Sequence, residues 1–285
     1  GDNIMRFPPR RFAQIVLTSL AALLLGGCAA VNQQAQSETI PELRPGILQG
    51  YLPMDDPLQT VDIVPPAPAA GSPRQNMDDE IAKRSLALQG TARWELAAKD
   101  AYLGFPGAET AFSCAAGLPI SETLTPNLYM LLRRTLADFG FASYSAKNAY
   151  QRERPFMVNN QPTCSPQDEE ELRHDGSYPS GHTAIGWGWA MMLAELMPEK
   201  AEAILARGRA FGESRNVCNV HWHSDVVAGR MVAAAAFSQL HNNADFLAAL
   251  QAARDELADL DSAALPASQD CEAEAAALSM TVYGK

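Results

Sequence analysis

The chain has 285 residues, with 22 Lys or Arg against 33 Asp or Glu, so its formal net charge is -11. That acidic balance argues against nucleic-acid binding, which needs a basic face. A hydrophobic content of 47% is ample for a folded core and excludes a mainly disordered protein. The five cysteines are too few for a small disulfide scaffold, and the length fits one large domain or two small ones.

The first segment of the chain has the pattern of a secretory signal. Basic residues precede an apolar run over residues 12–27, which is shorter than the about 20 residues that a membrane span needs. The run ends at Cys28 after two glycines, an arrangement that resembles a bacterial lipoprotein box. We predict a lipoprotein-type signal peptide over residues 1–27, lipidation of Cys28 and a periplasmic protein anchored to the outer membrane. The alternative is a plain signal peptide cut nearby, which gives a soluble periplasmic or secreted protein.

Residues 28–80 are polar and rich in proline. Such a stretch does not form one long helix, because proline interrupts the helical hydrogen bonds. We predict a tether followed by an extended arm. Nothing after Cys28 is apolar for long enough to span a membrane, so a membrane contact is expected only through the N-terminal lipid anchor.

The pattern turns helical from about residue 78, and Gly90 is predicted to separate two helices. Thr125-Pro126 is typical of an N-cap followed by the first helical residue, and Gly140 is predicted to end that helix. Further helices are predicted over residues 181–197, 199–212, 225–240 and 244–260.

No stretch of the sequence alternates apolar and polar residues in the way that is typical of a β-strand. The prediction is therefore an all-α fold, with a single-domain helical bundle over residues 81–260 that carries the site described next. Residues 261–285 are Ala-rich and acidic, and we expect a flexible C-terminal tail there.

Three short segments carry side chains suited to holding a tetrahedral oxyanion. In the first, Lys147 and Arg154 are seven residues apart, which puts both on one face if the segment is helical. In the second, Ser180 is placed as the N-cap of an apolar helix, whose free N–H groups favour an anion. Gly181 lets the backbone approach a ligand closely, and His182 lies beside that ligand in the first turn.

The third segment contains Ser214-Arg215, then His221 and Asp225. If a helix has begun, His221 and Asp225 share a face because they are four residues apart. The carboxylate then fixes the tautomer of the ring and leaves the other ring nitrogen free to attack. A metal pair of His221 with His223 is disfavoured, because residues two apart on a helix do not face each other and zinc needs at least a third ligand. We therefore predict no metal site and assign His223 no chemical role.

In this order and spacing, the three segments resemble the signature of the type 2 phosphatidic acid phosphatase superfamily, which reads K-x6-RP, then PSGH, then SR-x5-H-x3-D. Within the superfamily the chain most resembles the bacterial class A non-specific acid phosphatases, over roughly residues 50–255. The string GSYPSGHTAIGW at 176–187 is close to that class's own signature. The resemblance implies a helical bundle of the acid phosphatase / vanadium haloperoxidase type.

The resemblance also implies a role for each signature residue. His221 attacks phosphorus and becomes a phosphohistidine, Asp225 orients it, and His182 protonates the leaving group and then activates water. The phosphoryl oxygens are held by Lys147, Arg154, Ser180, Gly181 and Arg215. An acid pH optimum is expected if His182 starts protonated, because a free histidine titrates at about 6.5.

The activity that this resemblance implies is that of a metal-independent acid phosphatase with no cofactor and broad specificity. Its expected substrates are small phosphate monoesters, among them nucleotides, sugar phosphates and aryl phosphates. A homo-oligomer is expected, and nucleic acid is not an expected partner. Three alternatives stay open: a vanadate-dependent haloperoxidase with the same pocket, a lipid-phosphate phosphatase anchored in the envelope, and a surface lipoprotein that only binds phosphate.

Without the predicted lipidation site, four cysteines remain, and they allow three pairings among which spacing alone does not choose. The class pattern groups Cys164 with Cys218, so the resemblance favours the pairs Cys164–Cys218 and Cys114–Cys271. Cys114 and Cys271 themselves are not cysteine positions of the class.

Two further departures from the class pattern lie within the third segment. His223 stands where the class has a polar residue that does not titrate, and Asn219 stands for a residue that is often Gly. Neither is a signature letter, so both bear on substrate preference rather than on the type of reaction.

Overall fold

The computed structural model describes residues 39–55, 57–260 and 270–283. The predicted signal peptide and Cys28 lie outside the described residues. The described residues form twelve α-helices and one two-stranded antiparallel sheet, which confirms the predicted all-α class. No helix within these ranges is long and apolar enough to cross a membrane.

The described chain is helical over most of its length. The helices are α1 (Pro73–Leu86), α2 (Ala92–Asp100), α3 (Ser113–Ala116), α4 (Pro126–Phe141), α5 (Tyr144–Tyr150), α6 (Pro155–Asn159), α7 (Glu169–Arg173), α8 (Gly181–Leu196), α9 (Ala201–Val217), α10 (His223–Leu240), α11 (Ala244–Asp259) and α12 (Cys271–Leu278). The sheet pairs β1 (Glu42–Arg44) with β2 (Ile47–Leu48). As predicted, Gly90 lies between α1 and α2, with a φ of 75°.

Helix α8 lies at the centre of the bundle, where it packs against α4, α9 and α10. Its sequence is apolar on nearly all sides, as expected for a buried helix, and its one exposed residue is Glu195 in the last turn. Trp189 is fully buried, and its indole N–H donates to the carbonyl of Leu132 at 3.1 Å. Gly186 allows α9 to come close, because a Cβ there would meet the ring of Phe211 at 2.2 Å. Packing in the core therefore holds α8 in place, and α8 begins within the PSGH string at residues 179–182.

The proline-rich arm lies against α4 and α5 and is held there by polar contacts. The buried carboxylate of Asp138 accepts hydrogen bonds from the backbone N–H groups of Tyr51 at 2.9 Å and Leu52 at 2.8 Å. Burial raises the pKa of Asp138 to about 6. Further along the arm, the hydroxyl of Thr60 donates to the carbonyl of Ala142 at 2.7 Å. The arm therefore covers the helix pair that leads into the first predicted site segment.

Three helix boundaries differ from the prediction. Helix α1 begins at Pro73, within the predicted arm, because the hydroxyl of Ser72 caps it by accepting a backbone N–H at 3.2 Å. Helix α4 continues through Gly140, because this glycine keeps the helical conformation instead of the positive φ that would end the helix. Helix α9 continues beyond the predicted end at residue 212, so Arg215 lies on it.

Residues 270–283 differ from the predicted flexible tail, because they contain a capped and packed helix. The carboxylate of Asp270 accepts from the N–H of Ala273 at 3.0 Å and so caps α12. Ala277 and Val282 are buried. The helix is held against the bundle by apolar packing as well as by a disulfide.

Two disulfides connect segments that are distant in the sequence. Cys114–Cys271 joins α3 to the first residue of α12, with 5.6 Å between the Cα atoms. Cys164–Cys218 joins the loop before α7 to the residue after α9, with 4.6 Å between the Cα atoms. Both predicted pairings are confirmed, and the second fixes the end of the helix that carries Arg215.

Candidate active site

A cavity of about 240 Å³ lies at the N-terminal end of α8, and all three predicted segments reach it. Its lining includes Lys147, Arg154, Gly181, His182, Arg215 and His221. Ser180 and Asp225 are fully buried next to this lining. The structure thus brings together side chains from separate helices and from the loops that precede α6 and α10.

Hydrogen bonds fix the tautomer of His221. The guanidinium of Arg154 can only donate, and its Nη1 lies 3.0 Å from His221 Nε2, so Nε2 carries a lone pair. Nδ1 therefore carries the hydrogen and donates to Asp225 Oδ2 at 3.2 Å. Burial, followed by the charges of Arg154 and Lys147, holds the pKa of His221 well below its usual value of 6.5. The ring is neutral and offers a lone pair at Nε2.

The carboxylate of Asp225 is held by further donors. Its Oδ2 accepts from the N–H of Trp222 at 2.8 Å and from the hydroxyl of Ser177 at 2.5 Å. The expected contact of Asp225 with His221 is present, but not on a helical face, because His221 precedes α10. Asp225 lies in the first turn of α10, and its side chain turns back to the residue before the helix.

Arg152 is a site residue that the sequence analysis missed. Its Nη1 donates to Asp225 Oδ1 at 2.6 Å, and its Nη2 donates to Asp78 Oδ2 at 2.7 Å. The guanidinium also lies over the ring of Trp222, 5.3 Å from the centroid. Arg152 therefore ties Asp225 to α1. The available signal was an extra arginine in the string QRERP, but the sequence alone did not indicate its partners.

Lys147 and Arg154 meet across a turn and not on one helix face. Helix α5 ends at Tyr150, and Gln151 has a φ of 43°, in the left-handed region. Arg154 is extended, as expected for a residue before proline. The single helical face is not formed, because the chain leaves the helix between the two cations. Burial, followed by the charge of Arg154, lowers the pKa of Lys147 to about 8.

Both cations bind Asp175, which the sequence analysis did not single out. Asp175 Oδ2 lies 3.0 Å from Lys147 Nζ and 3.1 Å from Arg154 Nη2. Lys147 also donates to the carbonyl of Gly176. The only signal in the sequence was that Asp175 comes directly before the GSYPSGH string.

Arg215 is buried, but some of its N–H groups have no hydrogen-bond acceptor among the described residues. Its side chain is 1% exposed, and in the described part of the chain its Nε and Nη1 have no hydrogen-bond partner. Burial, followed by the charge of Arg154, lowers the pKa of Arg215 to about 10. A buried cation needs acceptors, and the planar fork of a guanidinium matches two oxygens of one oxyanion. Arg215 therefore indicates an oxyanion ligand.

The N-terminus of α8 is built as the PSGH string suggests. Ser180 Oγ accepts from the N–H of Thr183 at 3.2 Å and caps the helix, which is its expected place. A Cβ on Gly181 would lie 3.1 Å from Ser143 Oγ, so any side chain there would crowd the cavity. The first-turn N–H groups of a helix favour an anion at this end.

His182 lies beside these groups in a defined tautomer. Its Nε2 lies 2.9 Å from the carbonyl oxygen of Ala101, which can only accept, so Nε2 carries a hydrogen and Nδ1 keeps a lone pair. Burial, followed by the charge of Arg215, holds the pKa of His182 well below 6.5. The value of a free histidine, on which the expected acid optimum was based, therefore does not apply to the free enzyme.

Apolar side chains also line the cavity: Ile47, Leu103, Phe141, Tyr144 and Ile185. Arg44, Asp168 and Glu171 complete the charged part of the lining, with Asp175. A larger cavity of about 330 Å³ lies between α9 and α12, but it contains none of the predicted catalytic or phosphate-binding residues. The arginines in that second cavity are engaged, as with Arg207, which binds Asp100. The smaller cavity is therefore the candidate site.

The two departures from the class pattern lie outside the lining of this cavity. His223 Nδ1 is 3.4 Å from the hydroxyl of Tyr283. Asn219 has a φ of 62°, a conformation that Gly and Asn adopt most readily, and its amide pairs with that of Asn159. Within residues 39–55, 57–260 and 270–283, no group of three or more His, Cys, Asp or Glu is arranged to hold a metal ion.

Comparisons with known proteins agree with this geometry. The chain matches the PAP2 superfamily over residues 124–244. It is 43% identical over 211 residues to a non-specific acid phosphatase of Providencia stuartii, which covers 74% of this chain and 85% of the relative. It is 39% identical over 251 residues to an acid phosphatase of Zymomonas mobilis, covering 87% of this chain and 90% of the relative. A non-specific acid phosphatase of Salmonella typhimurium is 40% identical over 211 residues, covering 73% and 84% of the two chains.

Proposed function

The chain belongs to the non-specific acid phosphatases of the PAP2 superfamily and is an acid phosphatase, and we propose that it acts through a phosphohistidine at His221. The proposal includes broad specificity toward small phosphate monoesters, without a metal ion or other cofactor. One observation carries it: Nε2 of His221 accepts from Arg154 and so holds a lone pair in a cavity lined by cations.

In the first proposed step, the lone pair of His221 Nε2 forms a bond to phosphorus while the bond from phosphorus to the leaving oxygen breaks. The hydrogen on Nδ1 stays directed at Asp225, whose charge offsets the positive charge that the ring gains. The phosphoryl oxygens are bound by Lys147, Arg154 and Arg215, with the N-terminus of α8. Fixed cations and dipoles suit phosphoryl transfer, where catalysis is largely positioning and charge stabilisation.

His182 moves the protons in this proposal. With substrate bound, its Nδ1 takes up a proton from solvent, gives it to the leaving alkoxide, and then takes one from the water that attacks the phosphohistidine. That second attack breaks the bond between nitrogen and phosphorus, releases phosphate and restores the lone pair of His221. The negative charge of a bound phosphoryl group offsets Arg215 and Arg154, so the pKa of His182 rises when substrate binds.

Activity at acid pH follows from His221 in this mechanism. A nucleophile must be unprotonated, and a free histidine is mostly protonated below about pH 6. Because burial and nearby cations hold the pKa of His221 well below 6.5, the ring keeps its lone pair in mildly acidic solution. This account replaces the expectation that a protonated His182 in the free enzyme sets the optimum.

Broad specificity is supported by the apolar side chains in the lining of the cavity. Their contacts do not depend on direction, so they accept leaving groups of different shape. The groups suited to recognising the phosphoryl moiety are Lys147, Arg154 and Arg215, with the N-terminus of α8. Nucleotides, sugar phosphates and aryl phosphates share that moiety and are the proposed substrates.

The proposal extends to location and assembly. A periplasmic enzyme anchored through a lipid on Cys28 is supported by the sequence before that residue and by the two disulfides, which persist in oxidising compartments. Mass spectrometry of the native N-terminus tests the anchor, and a free N-terminus after Cys28 without acyl groups would refute it. Light scattering of the purified protein tests the proposed homo-oligomer.

The experiment that tests the mechanism is trapping of the phosphoryl group. In His182→Ala, attack on a dinitrophenyl phosphate should still occur, because this leaving group departs without a proton. Breakdown of the intermediate should slow, so phosphohistidine should accumulate and map to His221. The matched control His223→Ala should turn over as the wild type does.

Three outcomes would refute parts of this function. A label on His182, or an active His221→Ala variant, would reverse the two histidine roles. Loss of activity in a chelator, restored by a divalent ion, would refute the metal-free mechanism. Phosphate-ester turnover that requires added vanadate would favour the haloperoxidase.

A further inference from the structure

The carboxylate of Asp175 binds the two cations at the mouth of the phosphoryl site. A single oxygen, Oδ2, lies 3.0 Å from Lys147 Nζ and 3.1 Å from Arg154 Nη2. The cations are buried, whereas the Asp175 side chain is 28% exposed and lines the same cavity. The carboxylate therefore lies on the solvent side of the cations, where a phosphoryl group must approach them.

The orientation of the cations does not depend on this carboxylate alone. Arg154 Nε donates to the carbonyl of Leu172 at 2.9 Å and to that of Asp175 at 3.0 Å. Arg154 Nη1 donates to the carbonyl of Val220 at 3.0 Å, and Lys147 donates to the carbonyl of Gly176. Backbone oxygens therefore keep both side chains in place if the charge at residue 175 is removed.

A carboxylate and a phosphoryl group interact with these cations in the same way. Both are anions, and both accept hydrogen bonds from the ammonium of Lys147 and the guanidinium of Arg154. An opposite charge within about 4–6 Å shifts the pKa of a carboxyl by about 1–3 units, and one unit is a tenfold change in an equilibrium constant. A second anion that competes for the same cations works against this stabilisation. Asp175 is thus placed to oppose the binding of a second anion.

We propose that Asp175 is an internal anion that competes with the phosphoryl group for Lys147 and Arg154, and so sets a weak affinity for phosphate. The inference rests on the proposed phosphoryl site. Because phosphate is the product, weaker binding speeds its release and limits product inhibition. Asp175 touches the binding cations but takes no part in bond making or breaking.

The test is the affinity for inorganic phosphate in Asp175→Asn, measured by isothermal titration calorimetry on the full chain. The amide keeps the size of the side chain and removes its charge, so Kd should fall about tenfold or more. KM for a phosphate monoester should fall in the same direction, while kcat should change less than KM does. A residue with a purely structural role would give the opposite sign, because disordered cations bind phosphate more weakly.

Two further variants distinguish the direct contact of Asp175 with the cations from the electrostatic effect of any nearby negative charge. Glu171→Gln removes the same charge from an exposed side chain that lines the same cavity but pairs with neither cation, and Kd should change by less than about twofold. Asp175→Glu keeps the charge and should keep Kd within about threefold of the wild type.

An unchanged or higher Kd in Asp175→Asn would overturn the inference, as would an equal effect of Glu171→Gln. If thermal unfolding shows that Asp175→Asn does not fold, Asp175→Ser carries the same expectation. Tighter phosphate binding without a trapped phosphohistidine would support Asp175 as a competitor and refute only the covalent mechanism. A wild-type protein that binds no phosphate would overturn the proposed site and this inference together.

Discussion

Helix α9 carries two buried arginines, about two turns apart, whose surroundings are opposite. Arg207 is 2% exposed and binds Asp100 through Nη1 at 3.2 Å and Nη2 at 2.5 Å, while its Nε lies 3.4 Å from Glu274. Burial lowers the pKa of Arg207, but Asp100 and Glu274 outweigh it, and the net shift is upward. Arg215 is 1% exposed, its Nε and Nη1 have no partner in the described ranges, and its pKa is lowered to about 10.

The difference separates a cation that holds the fold, Arg207, from one that we propose binds the phosphoryl group, Arg215. Next to Arg207, the hydroxyl of Ser214 donates to Asp100 at 2.5 Å and accepts from Arg93 at 2.9 Å, which locks α9 to α2. The following residue, Arg215, lies among further cations of the cavity. Burial is the same at both positions, so the balance of partners, and not burial, indicates which arginine serves the site.

Arg215→Met is expected to have the largest effect, and that effect should be on activity. The variant keeps most of the volume but loses the guanidinium, so kcat/KM for a phosphate monoester should fall about 10³-fold. The free energy of unfolding should not fall, because the substitution removes a buried cation whose N–H groups lack hydrogen-bond acceptors. Steady-state kinetics and urea denaturation measure the two quantities. An active variant with lowered stability would reverse the comparison.

Arg207→Met should show the opposite pattern. It leaves Asp100 buried without its cation, so the free energy of unfolding should fall by about 3–5 kcal/mol. The activity of the folded fraction should fall much less than in Arg215→Met. The control is Arg207→Met combined with Asp100→Leu, which should recover much of the loss. If Arg207→Met has the same urea midpoint as the wild type, the contacts of Arg207 with Asp100 do not hold α9 in place.

Below about pH 6.5, the pH dependence of stability should come mainly from the two histidines of the cavity. In the folded protein, burial holds the pKa values of His182 and His221 well below 6.5, so the unfolded chain binds more protons below about pH 6.5. The free energy of unfolding should therefore fall as the pH drops through this window, by up to about 1.4 kcal/mol per pH unit for each histidine. Asp138, whose pKa is raised to about 6, opposes this trend between about pH 4 and 6.

Urea denaturation at several pH values isolates the contribution of the site. His221→Gln should flatten the slope of stability against pH, because one of the two depressed groups is removed. His174→Gln, at an exposed histidine outside the cavity, is the control and should keep the wild-type slope. The same slope in His221→Gln as in the wild type would contradict the neutral, buried ring.

His223→Ala should have the smallest effect, although His223 is close in sequence to His221. Its ring contacts Tyr283 and lies outside the lining of the site. We expect kcat/KM within about twofold of the wild type and a loss of stability below about 1 kcal/mol. A large loss of activity in this variant would show that the site extends beyond the cavity described.

The sequence was sufficient to single out the signature residues that the structure brings together at the cavity, although it missed Arg152 and Asp175. A motif in three parts with fixed spacing indicates chemistry without knowledge of the path between the parts. The sequence also predicted the long apolar helices, such as α8, because a stretch that is apolar on nearly all sides indicates a buried helix. The expected contact of His221 with Asp225 could be predicted from spacing, although the structure forms it with a cap and not with a helix turn.

The remaining features depend on contacts that spacing does not encode. Arg152 pairs with Asp78, which lies on α1, and nothing near Arg152 in the sequence indicates that partner. The turn at Gln151 separates the two cations that a continuous helix would have aligned. The lowered pKa of His182 results from burial and from Arg215, which is brought close only by the fold.

The disulfide Cys114–Cys271 has a consequence for the biosynthesis of the chain. The two cysteines are 157 residues apart, and the chain is made from its N-terminus, so Cys114 emerges long before its partner. Cys164 and Cys218 both emerge in between, and thiol–disulfide exchange allows either to pair with Cys114 first. Correct pairing of Cys114 therefore waits until Cys271 has been made. A truncated chain that ends before α12 should yield a mixture of disulfide isomers, even though every residue of the phosphoryl site is present in it.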